Sequence, residues 1–389
     1  MSSVKIEQFD FNSKNFKRKL KQFVLFQRNL FKGNPNYVPI LNYEYTGLKI
    51  AGITGFLEPK HHFNRYATLK FFTAKNSEDQ IIGRCVAFIN PRHNEKWNDK
   101  VGFFGLFDAI ERQDVADALL DAASEWLKKQ GMEAIRGPQN FPVNEATPGI
   151  LTEGFDSRSV IYYHYNPPYY KTVIEQAGFS PVMRYFSYET LVSQPTPEKL
   201  ERISQMILKR YPITFEYLKE RPFSVRKKEM LEIYNDAWHD NFGFVPFDEE
   251  EFSSILDDMK LIMDKDLFLF CYVDGEPAAF FGGVPNIDEK LVKFKDYPYL
   301  ELLRALWMIL TPVRTTGFRL GYLGVKRKFH KLGLPAILLW KQKIMSEKLG
   351  YKYCDIGWVL EHNVDVIRLI EMLEFKHSKT YTLYEKPLK

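Results

Sequence analysis

Near its C-terminus the chain reads LIEMLEFKHSKTYTLYE (residues 369–385), and this stretch aligns without a gap with VIEQAGFSPVMRYFSYE (residues 173–189). The offset of 196 residues pairs identical side chains: Glu175 with Glu371, Phe179 with Phe375, Tyr185 with Tyr381, Tyr188 with Tyr384 and Glu189 with Glu385. Each stretch reads as the last turns of a helix, a turn, and a β-strand rich in Tyr with Thr or Phe. The chain therefore contains two copies of one structural unit.

The order of the elements upstream supports this repeat. Each copy is predicted to contain a β-hairpin, an amphipathic helix that ends at a glycine, a strand, and then the aligned helix and strand. The predicted hairpins and helices are 67–74 with 82–90 and 115–130 in the first copy, and 267–273 with 277–284 and 335–349 in the second. The pattern predicts an α/β protein with two tandem domains, residues 1–192 and 193–389, each a mixed, mainly antiparallel sheet flanked by helices.

The second copy has a basic loop between a strand and a helix, and it reads LGVKRKFHKLGLPAILLW (residues 323–340). Gly333 lets the backbone approach a ligand closely, and Pro335 suits the first turn of a helix, where a missing N–H costs nothing. The N–H groups at the helix start, with Lys326 and Lys331 beside them, favour the binding of an anion.

This loop resembles the one with which acyltransferases of the GNAT superfamily hold the pyrophosphate of coenzyme A. That family loop reads Arg/Gln-x-x-Gly-x-Gly/Ala and follows a strand. Here His330 stands in place of the Arg and Pro335 in place of the last small residue. Residues 358–375 also resemble the GNAT strand and helix where the strand splays from its neighbour and admits the pantetheine arm. Asn363 is expected to cap that helix.

Longer runs, residues 34–44, 87–108, 165–170 and 235–251, are similar to those of a bacterial group of long, tandem GNAT-like proteins. The resemblance names a fold and a superfamily but no substrate. It implies that acetyl-CoA or another acyl-CoA is the co-substrate. The residues expected to contact it are Val325, Lys326, Lys331, Leu332, Gly333, Leu334, Pro335, Ala336 and Asn363.

The first copy has an acidic turn where the second has the basic loop. Four carboxylates, Asp108, Glu111, Asp114 and Asp117, surround the predicted helix start, with Asp114 expected as its N-cap. Carboxylates would repel a pyrophosphate, and the glycine signature is missing from this turn. The sequence therefore predicts one CoA site, in the second copy, and a degenerate first copy.

The catalytic residues are less well marked. Acyl transfer to an amine needs a deprotonated nucleophile and often an acid for the leaving thiolate. Many GNAT enzymes place a Tyr seven residues after the helix-opening Asn, but that position is Ile370 here. The candidates are Glu361, which follows the splayed strand, and Tyr381. Because Tyr185 matches Tyr381 in the first copy, shared packing is the competing interpretation for that tyrosine.

These features favour an acyl-CoA-dependent N-acyltransferase acting on a small-molecule or peptide amine. Two alternatives stay open: a non-catalytic acyl-CoA-binding or regulatory protein, and an aminoacyl-tRNA-dependent transferase. A net charge of +5 over 389 residues gives little support to nucleic acid as a partner. The adjacent His61 and His62 lack nearby ligand partners in the sequence, so no metal is expected.

The composition indicates the cellular compartment of the protein. The first twenty residues have no apolar core of a signal peptide, and no stretch of about 18 apolar residues predicts a membrane span. Cys85, Cys271 and Cys354 each lie in an apolar strand-like run without a second cysteine nearby. Buried free thiols in a reducing compartment explain that pattern, so we expect a cytoplasmic protein.

Overall fold

A computed structural model of the chain describes residues 4–49, 53–141, 146–260, 262–293, 295–297, 300–303, 307 and 315–388. The chain forms two compact units. Unit 1 combines residues 1–185, 291–304 and 379–389, and unit 2 combines residues 186–290 and 305–378. The predicted boundary between residues 192 and 193 stays a prediction about how the chain divides between the two copies.

The elements alternate as an α/β protein requires. The strands are β1 Lys5–Phe9, β2 Thr68–Lys75, β3 Ile81–Ile89, β4 Val101–Ala109, β5 Ala134–Gly137, β6 Ile150–Glu153, β7 Ser180–Leu191, β8 Ile213–Tyr217, β9 Phe268–Val273, β10 Glu276–Pro285, β11 Gly317–Val325, β12 Tyr353–Leu360 and β13 Lys376–Pro387. The helices are α1 Phe16–Leu30, α2 Asn42–Thr46, α3 Pro91–Trp97, α4 Gln113–Lys129, α5 Tyr169–Gln176, α6 Glu198–Arg210, α7 Phe223–Ala237, α8 Glu249–Met259, α9 Asp288–Leu291, α10 Leu334–Lys348 and α11 Val364–Met372.

The sheet of unit 1 is mainly antiparallel. Strands β1 to β4 pair antiparallel in chain order, and β4 and β5 run parallel from Val101 opposite Ala134 to Phe103 opposite Arg136. Every residue of β4 is buried, as expected for a strand covered on both faces. The segment 384–387 of β13 pairs antiparallel with β5. The last strand of the second copy thus completes the sheet of unit 1.

The sheet of unit 2 repeats this arrangement. Strands β8 to β11 pair antiparallel, and β11 and β12 run parallel. The hairpin between β9 and β10 turns at Asp274 and Gly275, which have φ angles of 51° and 80°. This left-handed pair is what an Asp-Gly turn provides and what matches the twist of the strands.

The predicted fold class is confirmed, and so are the hairpins and the two glycine-terminated helices. Helices α4 and α10 each cover the sheet of their own unit and contribute to its apolar core. Gly131 and Gly350, the residues predicted to follow them, have φ angles of 83° and 80°. Within the described residues, no helix combines the length and apolar character that crossing a membrane requires.

Candidate functional site

The predicted strand, loop and helix of the second copy are present in unit 2. Strand β11 ends at Val325, residues 327–332 form a short 3-10 helix, and α10 begins at Leu334 with Pro335 in its first turn. Proline has no N–H to lose at that position. The expected contact residues from Val325 to Ala336 therefore lie consecutively around the start of one helix.

Gly333 adopts the backbone conformation for which glycine is suited. Its φ angle is 73°, in the left-handed region where a side chain is strained. A Cβ there would also lie 2.9 Å from the Cδ1 atom of Ile207 on α6. Among the described residues, the Gly333 N–H has no acceptor, so it is a donor available at the positive end of α10.

Most of the basic side chains of the loop are already neutralised. Lys326 is buried, and its ammonium lies within ion-pair distance of two carboxylates. The pairs are Lys326 with Glu232 and Glu276, Arg327 with Asp236, and Lys328 with Glu276. The ammonium of Lys326 is therefore already ion-paired. The backbone N–H of Lys326 donates to the Ala278 carbonyl at 2.9 Å.

Lys331 differs from these neighbours. It is exposed, and no carboxylate within the described part of the chain pairs with it. His330, beside it, is held by a contact of 2.9 Å between its Nε2 atom and the Val325 carbonyl oxygen. Lys331 is thus the loop cation whose charge remains available to an anionic ligand at the Gly333 turn.

The parallel strands that lead into this region separate. Strands β11 and β12 pair from Gly317 opposite Tyr353 to Leu320 opposite Ile356, and in the described structure their ladder ends there. Strand β11 continues to Val325, and its residues 321–323 are partly exposed although 317–320 are buried. A cleft therefore opens along β11 at the carboxyl end of the pair, on the side that faced β12.

A β-bulge marks the point of separation. Gly282 of β10 pairs with Tyr322 and Gly283 with Leu320, which leaves Gly321 as the extra residue. The nearest heavy atoms to a Cβ placed on Gly321 belong to Arg319, at 3.8 Å and beyond. A Cβ at Gly321 would therefore fit without a steric clash.

Arg319 fixes the apex of the cleft, and the sequence reasoning missed it. Its Nε and Nη2 atoms donate to the Gly357 carbonyl at 2.9 and 2.8 Å, one residue beyond the last paired position of β12. Its guanidinium also lies 5.1 Å from the centre of the Trp358 ring. The signal was a charged residue within an otherwise apolar strand. Arg319 positions β12 relative to β11.

The corresponding place in unit 1 is filled by the chain itself. The Gln139 N–H donates to the Phe104 carbonyl at 2.6 Å, and the Leu106 N–H donates to the Asn140 Oδ1 atom at 3.1 Å. A Cβ on Gly105 would lie 2.0 Å from the Gln139 carbonyl oxygen. Backbone and amide groups therefore occupy the space along β4 that is open along β11.

Two expectations about the acidic turn of the first copy were wrong. Asp114 does not cap α4, because the helix begins at Gln113 and Arg112 takes the cap position. Asp114 pairs with Arg112 instead. Asp108 is not a surface carboxylate: it is 2% exposed in β4, with its Oδ2 atom 2.7 Å from the Nη2 atom of Arg84. Neither change gives this turn a group that attracts phosphate.

The segment after β12 follows the predicted order. Glu361 lies half-buried in the turn after the strand, and Asn363 takes the N-cap position of α11. The Asn363 side chain makes no capping hydrogen bond. Ile370 is 1% exposed and packs in the core of unit 2, so the position of the usual GNAT acid holds an apolar core residue.

Tyr381 lies in unit 1, because residues 379–389 belong there. Its side chain is fully buried, its ring is stacked 5.3 Å from that of Tyr163, and its hydroxyl lies 3.2 Å from the Ser159 hydroxyl. The structure therefore does not bring Tyr381 and the Gly333 loop together within one compact unit. Its catalytic role stays a prediction.

Asp288 is a further titratable group that the sequence reasoning missed. It lies in the short helix after β10, and desolvation of its partly buried carboxyl raises its pKa to about 7, although the positive charge of Arg319 opposes the shift. A carboxyl that titrates near neutral pH is suited to proton transfer. Nothing in its sequence context, NIDEK, distinguishes it from a solvated loop charge.

Comparison with curated proteins gives two relatives that extend over nearly the whole chain. The protein YghO of Escherichia coli is 30% identical over 384 residues, which cover 96% of this chain and 94% of that protein. The bacterial ceramide synthase of Caulobacter vibrioides is 30% identical over 384 residues, with 95% of each chain covered. No protein-family model matches the sequence.

Solved structures agree on the fold. A tandem GNAT protein from the clavulanic acid biosynthesis pathway superposes with a TM-score of 0.56 at 9% identity, covering 100% of this chain and 99% of that one. Since identity is low, the likeness concerns the fold: two GNAT-like copies in one chain.

Proposed function

Since this chain belongs to the family of YghO and the bacterial ceramide synthase and has the GNAT fold, we propose that it transfers an acyl group from a coenzyme A thioester to an amine. One observation carries the proposal. The cleft between the splayed strands, with the Gly333 loop at its side, is open in unit 2, whereas its counterpart in unit 1 is filled.

The residues present fit an acyl-CoA. The Gly333 N–H, the start of α10 and the Lys331 ammonium would hold its phosphates. Beyond Leu320, β11 is no longer paired with β12 in the described structure, and the amides of a pantetheine arm can pair with the edge of a strand. Arg319 fixes the apex of the cleft, because its two hydrogen bonds to the Gly357 carbonyl hold β12 beside β11 at that point.

When bound, the thioester supplies an activated acyl carbon. This chain must then remove a proton from the attacking amine and stabilise the oxyanion. We propose Glu361 as the base, because it follows the splayed strand and is half-buried. Asp288 is the alternative base, supported by its raised pKa. For the acid we propose Tyr381, because its hydroxyl can protonate the leaving thiolate.

The acceptor we propose is a long-chain amino alcohol. A ceramide is a long-chain amino alcohol whose nitrogen is acylated, and the Caulobacter relative is named a ceramide synthase. Identity of 30% along 384 residues supports a related acceptor. We also propose a cytoplasmic location, supported by three buried, unpaired cysteines, Cys85, Cys271 and Cys354.

A non-catalytic acyl-CoA-binding protein is the second candidate, favoured by the buried Ile370 at the usual acid position. The two are separated by incubating the full chain with acetyl-CoA or palmitoyl-CoA and with sphinganine or a short amine. Release of free CoA thiol together with an N-acyl product in the mass spectrum supports the transferase. Binding of CoA without thiol release from any pair supports the second candidate.

The matched variants are Glu361→Gln and Asp288→Asn. If Glu361 is the base, the first lowers kcat at least tenfold with unchanged CoA affinity, and the second leaves kcat near that of the parent. The reverse pattern would assign the base to Asp288. If kcat is unchanged in both variants, neither Glu361 nor Asp288 is the base.

A further inference from the structure

Unit 1 contains a groove of about 700 Å³ that the acyl-transfer site does not use. One wall is α1, and the opposite side is formed by α2 and residues near Pro59. Apolar side chains line its floor: Leu20 and Val24 are buried, and Phe16 and Leu25 are half-buried. The volume lies within the range of about 300–1,000 Å³ typical of small-molecule sites.

Three cations stand around this apolar floor. Lys17 and Lys21 are one helical turn apart on α1, and Lys49 also lines the groove. All three are exposed, and none forms an ion pair with a described residue. The spacing of Lys17 and Lys21 places both ammonium groups on one side of α1.

Neighbouring lysines of the same unit, outside the groove, form ion pairs. The paired ones are Lys19 and Lys75 with Glu7, and Lys70 with Asp10. Unit 1 therefore neutralises cations close to the groove but not the three that line it. Because desolvating an unpaired ammonium is costly, a ligand that enters beside these lysines has to bring negative charge.

One carboxylate is present among the described lining residues, that of Glu58. It accepts a hydrogen bond from the Gly55 N–H at 3.2 Å and so stabilises the local turn. With three lysines against this one acid, the lining has a net positive charge. The groove thus combines an apolar floor with a cationic margin.

We propose that this groove binds a single long-chain fatty carboxylate, with its chain along Leu20, Val24 and Leu25 and its head group at Lys17 and Lys21. This inference does not rest on the proposed acyltransferase activity. A concave site with its apolar residues inside suits one chain. Docking to a membrane surface instead requires an apolar face that projects outward.

The test is calorimetric titration of the full chain with palmitate below its micelle concentration. We expect one site per chain and, for Lys17→Gln with Lys21→Gln, about tenfold weaker binding, because the carboxylate loses the attraction of two positive charges. The matched control removes two exposed cations outside the groove lining, Lys14→Gln with Arg18→Gln, and is expected to bind within twofold of the parent.

Two further measurements complete the design. Leu25→Trp fills the groove without changing charge and is expected to abolish palmitate binding, with an unchanged thermal transition. Lys331→Glu should retain it, because that residue belongs to the other site. Sedimentation with phosphatidylglycerol vesicles measures attachment to a membrane surface.

The proposal is overturned if the parent chain does not bind palmitate. It is also overturned if the two double variants lose affinity equally, or if Lys331→Glu abolishes binding and so locates palmitate in the acyl-CoA site. Vesicle binding that depends on all four cations, without palmitate binding, would instead identify a membrane-contact surface.

Discussion

Reversing the charge of Lys331 tests where coenzyme A binds. Lys331 is the exposed cation of the Gly333 loop that has no carboxylate partner among the described residues, whereas its neighbours Lys326 and Lys328 are ion-paired. Lys331→Glu therefore replaces an available positive charge by a negative one at the start of α10. The backbone of the loop should be preserved, because the side chain is exposed.

The magnitude follows from Coulomb's law. Two unit charges about 4 Å apart interact by about 1 kcal/mol in water. A change of two charge units against a phosphate therefore costs about 2 kcal/mol, and affinity falls tenfold for each 1.4 kcal/mol. We expect CoA to bind about 10- to 30-fold more weakly to Lys331→Glu. Lys331→Gln loses half as much free energy, so about fivefold is expected. Salt at about 1 M should shrink both differences.

The measurement is a calorimetric or fluorescence titration with CoA at low and high salt. Asp114→Lys is the control, because Asp114 stands at the equivalent turn of unit 1 and makes an exposed ion pair with Arg112, which contributes little to stability. Equal losses in the two variants, or parent-like binding by Lys331→Glu, would refute the assignment of the site to unit 2.

Three predictions concern stability. Gly324→Ala is expected to lower the free energy of unfolding by about 1–3 kcal/mol in urea titrations, because its Cβ would lie 2.5 Å from the Trp238 ring. Asp108→Asn leaves the buried Arg84 guanidinium without its carboxylate, and thermal or urea unfolding should show a loss of about 3–5 kcal/mol. Burial lowers the pKa of His61 from 6.5 to about 3, so the unfolded chain binds a proton that the folded chain excludes. The contribution of His61 to the free energy of unfolding should therefore be fully present above pH 6.5 and be lost as the pH drops toward 3. The loss should reach about 2–3 kcal/mol at about pH 4.5. Urea unfolding of His61→Asn over that pH range should show a weaker pH dependence than the parent.

Local patterns predicted most of the elements. Glycine at the end of a helix, an Asp-Gly pair between two apolar runs, and a proline in a first helical turn each reflect a preference of a few adjacent residues. Gly131, Gly350, Gly275 and Pro335 all occupy the conformations that these rules require. The basic loop could be located for the same reason.

Contacts between distant residues could not be predicted in this way. Asp108 looked like a turn carboxylate, but β4 continues through it because Arg84 on the neighbouring strand neutralises its charge. The strand that contains Tyr381 was assigned by periodicity, which does not say which sheet a strand joins, and residues 384–387 of that strand pair with β5. Arg319 became interpretable once the end of the β11–β12 ladder was known.

The difference between the two copies arises in the backbone and not in charge alone. In unit 1 the Leu106 N–H already has Asn140 as its acceptor, and the Gln139 carbonyl lies against Gly105. Replacing the acidic residues of the turn by lysines would therefore not create space for a pantetheine arm along β4. In unit 2, we expect the removal of Lys331 to weaken phosphate binding but to leave the divergence of β11 from β12 beyond Leu320 unchanged. The proposed acyl-CoA site thus has two separate requirements, charge at the loop and space along the strand, and we propose that unit 2 is the copy that meets both.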